Sequence, residues 1–406
     1  MTTQVASAHA HTRPRLFTPG MWVVTAIAVL GLSVLLYRFV FGLGATTNLT
    51  DRYPWGIWIA IDVACGVALA AGGFTTTFLA HVVHRGEFHA IVRPALLTAM
   101  IGYTFVALGV ATDIGRTWAM WHVMLPSMWQ GNSVLFEVAI CVMTYLTVLY
   151  IEFLPVVCER FIGRVNLPGP LAGFNELADR LLRFLDAGLN RLMTVFIILG
   201  VLLSCMHQSS LGTLMVITSI KLHPLWQTPM LPLLFLLSAF SVGFPMVIFE
   251  SLIASRSFGL PPERKILSRL ARYIPVLLGL YFAAKMIDMA NRGTFSYLFD
   301  GSHESFAFIA EVGLGVVVPF FIFLSPRLRG STRWLMAGAI CVIFGVVMNR
   351  LNVFLIGYTP AYEGEPYVPA WTEIAVTAGF IALTILIYRF VVLNFPVIEQ
   401  LEEPES

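Results

Sequence analysis

The chain has 406 residues, of which 58% are hydrophobic and 12% are charged, and its formal net charge is +2 at pH 7. Soluble domains carry about 25% charged residues, so this composition excludes a water-soluble fold and indicates an integral membrane protein. The small net charge gives no indication of a nucleic-acid partner. The five cysteines form no CxxC pair, so we expect neither a cysteine-ligated cluster nor a disulfide framework.

Ten apolar runs are long enough to cross a bilayer, whose hydrocarbon core is roughly 30 Å thick and needs about 20 helical residues. We therefore predict an all-α, polytopic membrane protein with ten transmembrane helices. In chain order the predicted spans are Met21–Leu43, Trp55–Val82, Ile91–Ile114, Ser133–Phe161, Leu189–His207, Leu231–Ala254, Leu270–Met289, Phe306–Leu324, Trp334–Ile356 and Trp371–Phe395.

The polar segments around these runs predict the domain organisation. The N-terminal segment has no small-residue cleavage site behind a short apolar core, so the first span is expected to be an uncleaved anchor. A charged segment that contains VNLPGPLAG is predicted to be a cytoplasmic connector between two bundles. The predicted parts are a tail at 1–20, a transmembrane domain at 21–395 with bundles at about 55–207 and 231–356, the connector at about 159–190, a last helix at about 371–395, and a tail at 396–406.

The basic residues predict the orientation. Eighteen of the 25 Lys and Arg residues lie on one side of the predicted spans and seven lie on the other. Basic loops stay in the cytoplasm, so both termini are predicted to be cytoplasmic. The fifth span would then run outwards, and its last residues, in the stretch SCMHQSSLGTL, would lie at the outer boundary.

Four ionisable residues are predicted to lie in one outer layer: Asp62, Asp113, Glu137 and His207. An ionisable group inside a span costs about 2.5 to 3.5 kcal/mol on insertion scales, which makes Asp62 and Glu137 functional candidates. Asp113 and Arg116 are three residues apart and are expected to form an ion pair at a helix end. For His207, a structural role at the helix end and a functional role remain equally open.

Further acidic residues have two interpretations each. Glu152 follows Glu137 by 15 residues, which places it on broadly the same helix face and about 22 Å deeper. The two carboxyl groups would suit a proton relay, whereas Glu152 and Glu250 would otherwise only mark the inner ends of helices. A second outer layer is expected to hold structural ion pairs among Lys285, Asp288, Glu311 and Arg350.

The histidines do not predict a haem protein. Of the nine histidines, His81 and His207 end predicted helices, and they do so on opposite sides of the membrane. A bis-histidine haem needs two ligands that face one another at one depth, so none is expected. The sequence also has no HExxH motif and no phosphate-binding loop.

Several stretches resemble a known family. TDIGRTW, NSVLFEVAICVMTYLTVLYIEF, MHQSSLGTLM and KLHPLWQTPMLPLLFLLSAF are similar to the integral membrane subunit of respiratory nickel-iron hydrogenases of the HybB type, in the NrfD/polysulfide reductase superfamily. FVFGLGATTNLTDRYPWGIWIAIDVACGVALAAGGF and EFHAIVRPALLTAMIGY add to the match. The resemblance spans nearly the whole chain and is most specific in the first six spans.

The resemblance implies a ten-helix subunit without haem in the bacterial cytoplasmic membrane, built from two four-helix bundles with a flanking helix at each end. Such a subunit docks a periplasmic ferredoxin-like iron-sulfur subunit and exchanges electrons with a quinone, either menaquinone or ubiquinone. The large and small hydrogenase subunits hold the nickel-iron centre, and all clusters lie in partner subunits. Some relatives are thought to couple electron transfer to proton movement.

A quinone takes up two electrons and two protons, so its head group needs hydrogen-bond donors and a proton route. We expect His207 to donate to one carbonyl group, and Ser209, Ser210 or Asn132 to hold the other. Proton carriers would be Asp62, Glu137 and Glu152. Trp58 would belong to the interfacial aromatic belt or line the ring pocket.

Two other functions remain open at this point. The first is a related quinone subunit that serves a formate, sulfur-compound or multihaem partner. The second is a secondary transporter, although transporter sites usually lie at the membrane midplane, whereas the charged residues here gather near the outer face.

Overall fold

A computed structural model describes residues 15–166, 168–362 and 364–398. It has ten helices that are long and apolar enough to cross a membrane, which confirms the predicted all-α fold. We number them α1 to α10: Pro19–Phe41, Trp58–Val82, His89–Asp113, Val134–Phe161, Asn175–Ile217, Leu231–Phe258, Ile274–Arg292, His303–Leu324, Thr332–Ile356 and Trp371–Asn394. Most of the two predicted tails lies outside the described residues.

The helices pack in two groups of four. Helices α2 to α5 form one group and α6 to α9 form the other, and they meet where α2 and α5 contact α6 and where α2 contacts α9. Helix α1 packs along α10, and α10 also contacts α3. The functional candidates of the first six spans therefore lie mainly in the first group and at its contact with α10.

Small residues in α2 allow neighbouring helices to approach closely. A Cβ atom added at Gly72 would lie 3.1 Å from the carbonyl oxygen of Gly243 in α6. One added at Gly73 would lie 2.5 Å from the Cβ atom of Ala99 in α3. The small-residue run ACGVALAAGG thus serves helix packing, as is common in membrane bundles.

The predicted bounds of the fifth span are wrong at both ends. Helix α5 has 43 residues, which corresponds to about 65 Å. It begins at Asn175, inside the predicted connector, and it continues ten residues beyond His207 to Ile217. The polar run at 207–210 does not end the helix because most of its side chains find partners inside the bundle. The outer boundary is therefore not set by His207.

Local irregularities occur in other helices. Helix α7 is preceded by a short helix, Arg264–Leu270, so the predicted span that started at Leu270 begins four residues later. Four segments have π-helical hydrogen bonding: Trp58–Cys65, Phe78–Val82, Gly313–Val317 and Asn352–Ile356. Such segments are often found at functional sites, and the first contains Asp62.

The second group of helices holds a buried ion pair. Lys285 donates to Glu311, and both side chains are almost fully buried. Glu311 also accepts hydrogen bonds from Trp226, Asn349 and Asn352. The predicted pairing is confirmed for Lys285 and Glu311, and the additional donors compensate the carboxylate for its lost hydration.

The other two residues of this predicted layer have different partners. Asp288 forms an ion pair with Arg292, one helical turn away, at 2.7 Å. Arg350 lies 3.7 Å from the ring centroid of Phe235 and donates to Asn349 and Ser238. Among the described residues no carboxylate pairs directly with Arg350, so the expectation of an ion pair is wrong there.

We predict that Gly31→Ala weakens the packing of α1 on α10. A Cβ atom at position 31 would lie 2.5 Å from the Cα atom of Gly379, so the backbones must separate. The expected loss is about 1 to 3 kcal/mol of stability, measured as a lower midpoint of thermal unfolding in detergent. Gly20→Ala in the same helix meets no atom within 4 Å and serves as the control. Equal midpoints for both variants would contradict the prediction.

Candidate functional site

His207 lies in the interior of the first bundle with both ring nitrogens occupied. Its Nδ1 atom is 2.7 Å from the carbonyl oxygen of Leu203, and its Nε2 atom is 2.5 Å from the hydroxyl group of Tyr103 in α3. Because a carbonyl oxygen can only accept, Nδ1 carries the proton in the neutral ring, and Nε2 accepts from Tyr103. The side chain is fully buried.

Gln208 links α5 to α2 by a hydrogen bond. Its side-chain nitrogen donates to the carbonyl oxygen of Val67 at 2.8 Å, close to Ala70, where the regular α-helix of α2 is interrupted. The Oε1 atom of Gln208 is buried and has no direct partner. An amide acceptor is therefore left available beside the Tyr103–His207 pair.

Ser210 connects α5 to α4 at the end of the bundle where α4 begins. Its hydroxyl oxygen is 2.6 Å from Glu137 Oε1 and 2.9 Å from the carbonyl oxygen of Met206. A hydroxyl group has a single proton, so it cannot donate to both oxygens at once. Glu137 itself is exposed, so this contact lies at the open end of the line of polar residues between α4 and α5.

Three further polar groups continue this line of polar residues deeper into the bundle. The hydroxyl groups of Tyr145 and Ser204 are buried without direct partners. Glu152 packs against Gly200, where an added Cβ atom would lie 3.0 Å from Glu152 Oε1 and 3.5 Å from the ring of Tyr145. Glu137 and Glu152 thus both face α5, as the helical spacing predicted.

These groups form one feature, which we call the α4–α5 polar strip. Its members on α5 lie between positions 204 and 210, and from Ser210 to Gly200 the strip extends about 15 Å along the helix. Such a strip is unusual in an apolar bundle, because each buried polar group needs a partner inside the protein. Its members are Glu137, Ser210, Tyr103, His207, Gln208, Ser204, Tyr145 and Glu152.

Two of the predicted site residues lie elsewhere, against α10. Asp62 accepts a hydrogen bond from Thr377 at 2.8 Å, and the Trp58 indole donates to the carbonyl oxygen of Glu373 at 3.1 Å. Both side chains are buried. The structure therefore does not bring Asp62 and Trp58 together with His207.

The expected ion pair of Asp113 with Arg116 is wrong. Arg38 from α1 lies beside Asp113 instead, and it donates to the carbonyl oxygens of Thr112 and Ile114 at 2.6 and 2.7 Å. The guanidinium group thus caps the end of α3, where the last carbonyl groups have no partner within the helix. Sequence spacing could not reveal this contact, since α1 and α3 are far apart in the chain.

The remaining predicted residues lie around the open end of the strip. Asn132 is exposed, and Ser133 caps α4 by accepting from the backbone N–H group of Phe136. Ser209 is partly buried, and its backbone carbonyl accepts from Thr213. Of these three residues, only Asn132 has a fully accessible side chain.

Sequence reasoning did not single out Tyr103, Tyr145 or Ser204. A signal was present for Ser204 on α5, because it precedes His207 and Gln208 by three and four residues, at helical spacing. No such signal exists for the tyrosines, which lie on two other helices. Tertiary packing alone brings their rings within 4.6 Å of each other and 5.2 to 5.5 Å of His207, measured between centroids.

We predict that Tyr103→Phe destabilises the protein more than Tyr150→Phe does. The first change leaves Nε2 of His207 buried without a donor, at a cost of about 1 to 3 kcal/mol. Tyr150 is exposed and shares its hydrogen bond with Thr104, so its loss should cost less than about 1 kcal/mol. Thermal unfolding of the purified variants measures the difference, and equal losses would mean that the Tyr103–His207 contact contributes nothing.

Curated relatives match nearly the full length of the chain. One is the "Probable Ni/Fe-hydrogenase 2 b-type cytochrome subunit" of Escherichia coli K12, with 35% identity over 93% of this chain and 92% of the relative. Another is the "Menaquinone reductase, integral membrane subunit" of Nitratidesulfovibrio vulgaris, with 24% identity over 94% and 92%. A third is a selenate reductase subunit of Mesobacillus selenatarsenatis, with 23% identity over 94% of both chains.

The name of the Escherichia coli relative raises the question of a haem. A bis-histidine haem lies between two imidazole rings. In the described part of this chain the rings of His81 and His89 contact each other edge to face, with centroids 4.7 Å apart, which leaves no space for a macrocycle between them. His207 has both nitrogens engaged by the protein. These residues do not fit a haem.

The family model described as "Polysulphide reductase, NrfD" matches residues 45–361. This range covers α2 to α9, including all of the α4–α5 polar strip. The 35% identity to the Escherichia coli subunit over 93% of the chain supports the same assignment. The chain is a member of the NrfD/polysulphide reductase family of membrane subunits of respiratory oxidoreductases.

Proposed function

We propose that this chain is the quinone-reactive membrane subunit of a respiratory oxidoreductase and passes electrons between an iron-sulfur partner subunit and the quinone pool. The observation that carries the proposal is the α4–α5 polar strip. It combines two carboxyl groups, an imidazole ring and several hydroxyl groups in one line. Quinone reduction consumes two protons, so groups of this kind beside the head group match the chemistry.

The quinone head group is proposed to bind at the open end of the strip, next to Glu137 and Ser210, with Asn132 within reach at the entrance of α4. Glu137 is exposed there and accepts a hydrogen bond from Ser210. A carboxyl group in this position can donate a proton to a quinone carbonyl and then be reprotonated from deeper in the strip. The deeper members, His207 and Glu152, would supply that proton.

This assignment changes the role of His207. It is fully buried and its ring nitrogens bond Leu203 and Tyr103, so it has no free donor for a ligand. We therefore propose it as a relay group rather than as a direct contact of the ring. Asp62 and Trp58 face α10 and are not part of the proposed head-group site.

The proposed partner is a nickel-iron hydrogenase with its iron-sulfur subunit, because the relative with 35% identity is named as a hydrogenase subunit. The proposed quinone is menaquinone, in line with the name of a more distant relative. With both termini in the cytoplasm, the open end of the strip would face the periplasm of the inner membrane. Proton uptake through the strip would then couple quinone reduction to proton movement across the membrane.

A second candidate is the same quinone chemistry with another partner. The relatives named for menaquinone reductase and selenate reductase share 24% and 23% identity over almost the full length. Isolation of the intact complex separates the two candidates, because a hydrogenase would bring nickel and its own partner subunits, whereas a formate, sulfur-compound or multihaem partner would not.

We predict that Glu137→Gln lowers hydrogen-dependent quinone reduction by about 10²-fold, the usual contribution of a general acid or base. Reduction of an artificial dye that takes electrons directly from the hydrogenase subunits should not change. The matched control is Glu176→Gln, which removes an exposed carboxyl group that pairs with Arg180 at the far end of α5. It should leave both activities unchanged.

Two results would contradict the proposal. One is normal quinone reduction by Glu137→Gln. The other is a parallel loss of dye reduction in a complex that is fully assembled, because the effect would then lie outside the quinone site.

A further inference from the structure

A small pocket lies between α3, α6 and α10, on the side of the molecule where α6 and α10 end. It encloses a cavity of about 40 Å³. A cavity needs about 10 to 15 Å³ of such space to hold one water molecule, so this one has room for water. Its lining includes Pro94, Glu250, Ser251, Ser255, Leu260 and Tyr388.

Glu250 and Tyr388 line this pocket, Thr98 interacts with Glu250, and one polar atom of each of these three residues lacks a direct partner. These atoms are Glu250 Oε1 of α6, the hydroxyl oxygen of Thr98 in α3 and the hydroxyl oxygen of Tyr388 in α10. Each is buried, and Glu250 is close enough to Thr98 and Tyr388 to interact with both of them. No direct hydrogen bond joins these three atoms to a partner. A bridging water molecule would satisfy all three groups.

The charged groups around Glu250 do not neutralise it. The side chains that interact with it are the hydroxyl groups of Thr98 and Tyr388. Arg389, next to Tyr388, turns away and donates to Arg15, Leu16 and Ser257.

Within the described residues, no cation from the other helices is recorded in contact with Glu250. Arg93 of α3 donates to the carbonyl oxygen of Pro396 and to Glu159. Helix α2 contributes Thr75 and Thr76, and the pocket rim contributes a second carboxyl group, Glu263. A carboxylate that is buried without a cation is costly, whereas a protonated carboxyl group beside water is not.

This pocket is separate from the α4–α5 polar strip. Glu250 belongs to α6, and the pocket lies on the α3–α10 side of that helix. Thr98 and Tyr103 both belong to α3, but five residues place their side chains about 140° apart around the helix. The two features therefore occupy different faces of α3.

We propose that the pocket is a hydrated proton-exchange site. Glu250 holds a proton, and a water molecule bridges it to Tyr388 and Thr98. The proton passes between the Glu250 carboxyl group and the aqueous phase through water in the pocket, past Ser255, on the side where α6 and α10 end. The inference does not depend on the proposed quinone site.

The first experiment detects the proton. An apolar carbodiimide adds to carboxyl groups in their protonated form, and it is applied to membranes that contain the assembled complex over a range of pH. Peptide mass spectrometry should find Glu250 modified, with the yield falling at least tenfold from acidic to alkaline pH. Glu159 is exposed and paired with Arg93, so it should remain unmodified and serves as the internal control.

The second experiment detects the water. Infrared spectra of the purified full chain should show a protonated carboxyl band that shifts in D2O and is missing in Glu250→Gln. Thr98→Val combined with Tyr388→Phe removes the partners of the water molecule and should slow that shift about tenfold. If the band is the same in the wild type and Glu250→Gln, Glu250 carries no proton and the proposal is wrong.

The third experiment determines the side of access. Ser255→Cys should react with a membrane-impermeant thiol reagent only from the side that carries the ends of α6 and α10, against the background of the five native cysteines. Reaction from the opposite side, or no reaction from either side, would overturn the proposal. Protection of Glu250 from carbodiimide by Na⁺ at constant pH would also overturn it, because it would identify a metal-cation site.

Discussion

The constraint on which this structure depends is that hydrocarbon offers no hydrogen bonds, so every polar group inside a span must find its partner within the protein. The chain meets this constraint at helix contacts. Tyr103 of α3 bonds His207 of α5, Thr377 of α10 bonds Asp62 of α2, and Lys285 of α7 bonds Glu311 of α8. The first two contacts join helices that do not follow one another in the chain, and the third joins the consecutive helices α7 and α8. The polar residues thus determine which helices meet, while the small residues determine how closely they approach.

The same contacts separate structural polar groups from those that remain available for chemistry. Glu311 is saturated by Lys285, Trp226 and two asparagine side chains, so it stabilises the second bundle. The α4–α5 polar strip is different, because Gln208, Ser204 and Tyr145 each keep an atom without a direct partner. Groups in this state can exchange partners at little cost. A line of such groups that ends at the exposed Glu137 suits the transfer of protons to a bound quinone, and the family of the chain is one of respiratory membrane subunits.

Several sequence-based expectations failed for one common reason. Asp113 was expected to pair with Arg116, and His207 was expected to end its helix. In both cases the partner comes from a remote segment: Arg38 for the end of α3, and Tyr103 for the imidazole ring. Local spacing identifies neighbours along one helix, and it carries no information about the neighbour across a helix contact. The expected single outer layer therefore divides into the α4–α5 polar strip and a second cluster against α10.

The sequence by itself determined the membrane setting, the number of spans and the family, because these depend on the length and apolar character of runs of residues and on motifs that are continuous in the chain. It also placed Glu137 and Glu152 on one helix face, since the helical repeat is a local property. Only the tertiary structure decided which side chains form hydrogen bonds across helix contacts, where α5 ends, and that Thr98 and Tyr388 lie beside Glu250. These features arise from contacts between helices, and in a bilayer such contacts are selected by close packing and by the partners that buried polar groups require.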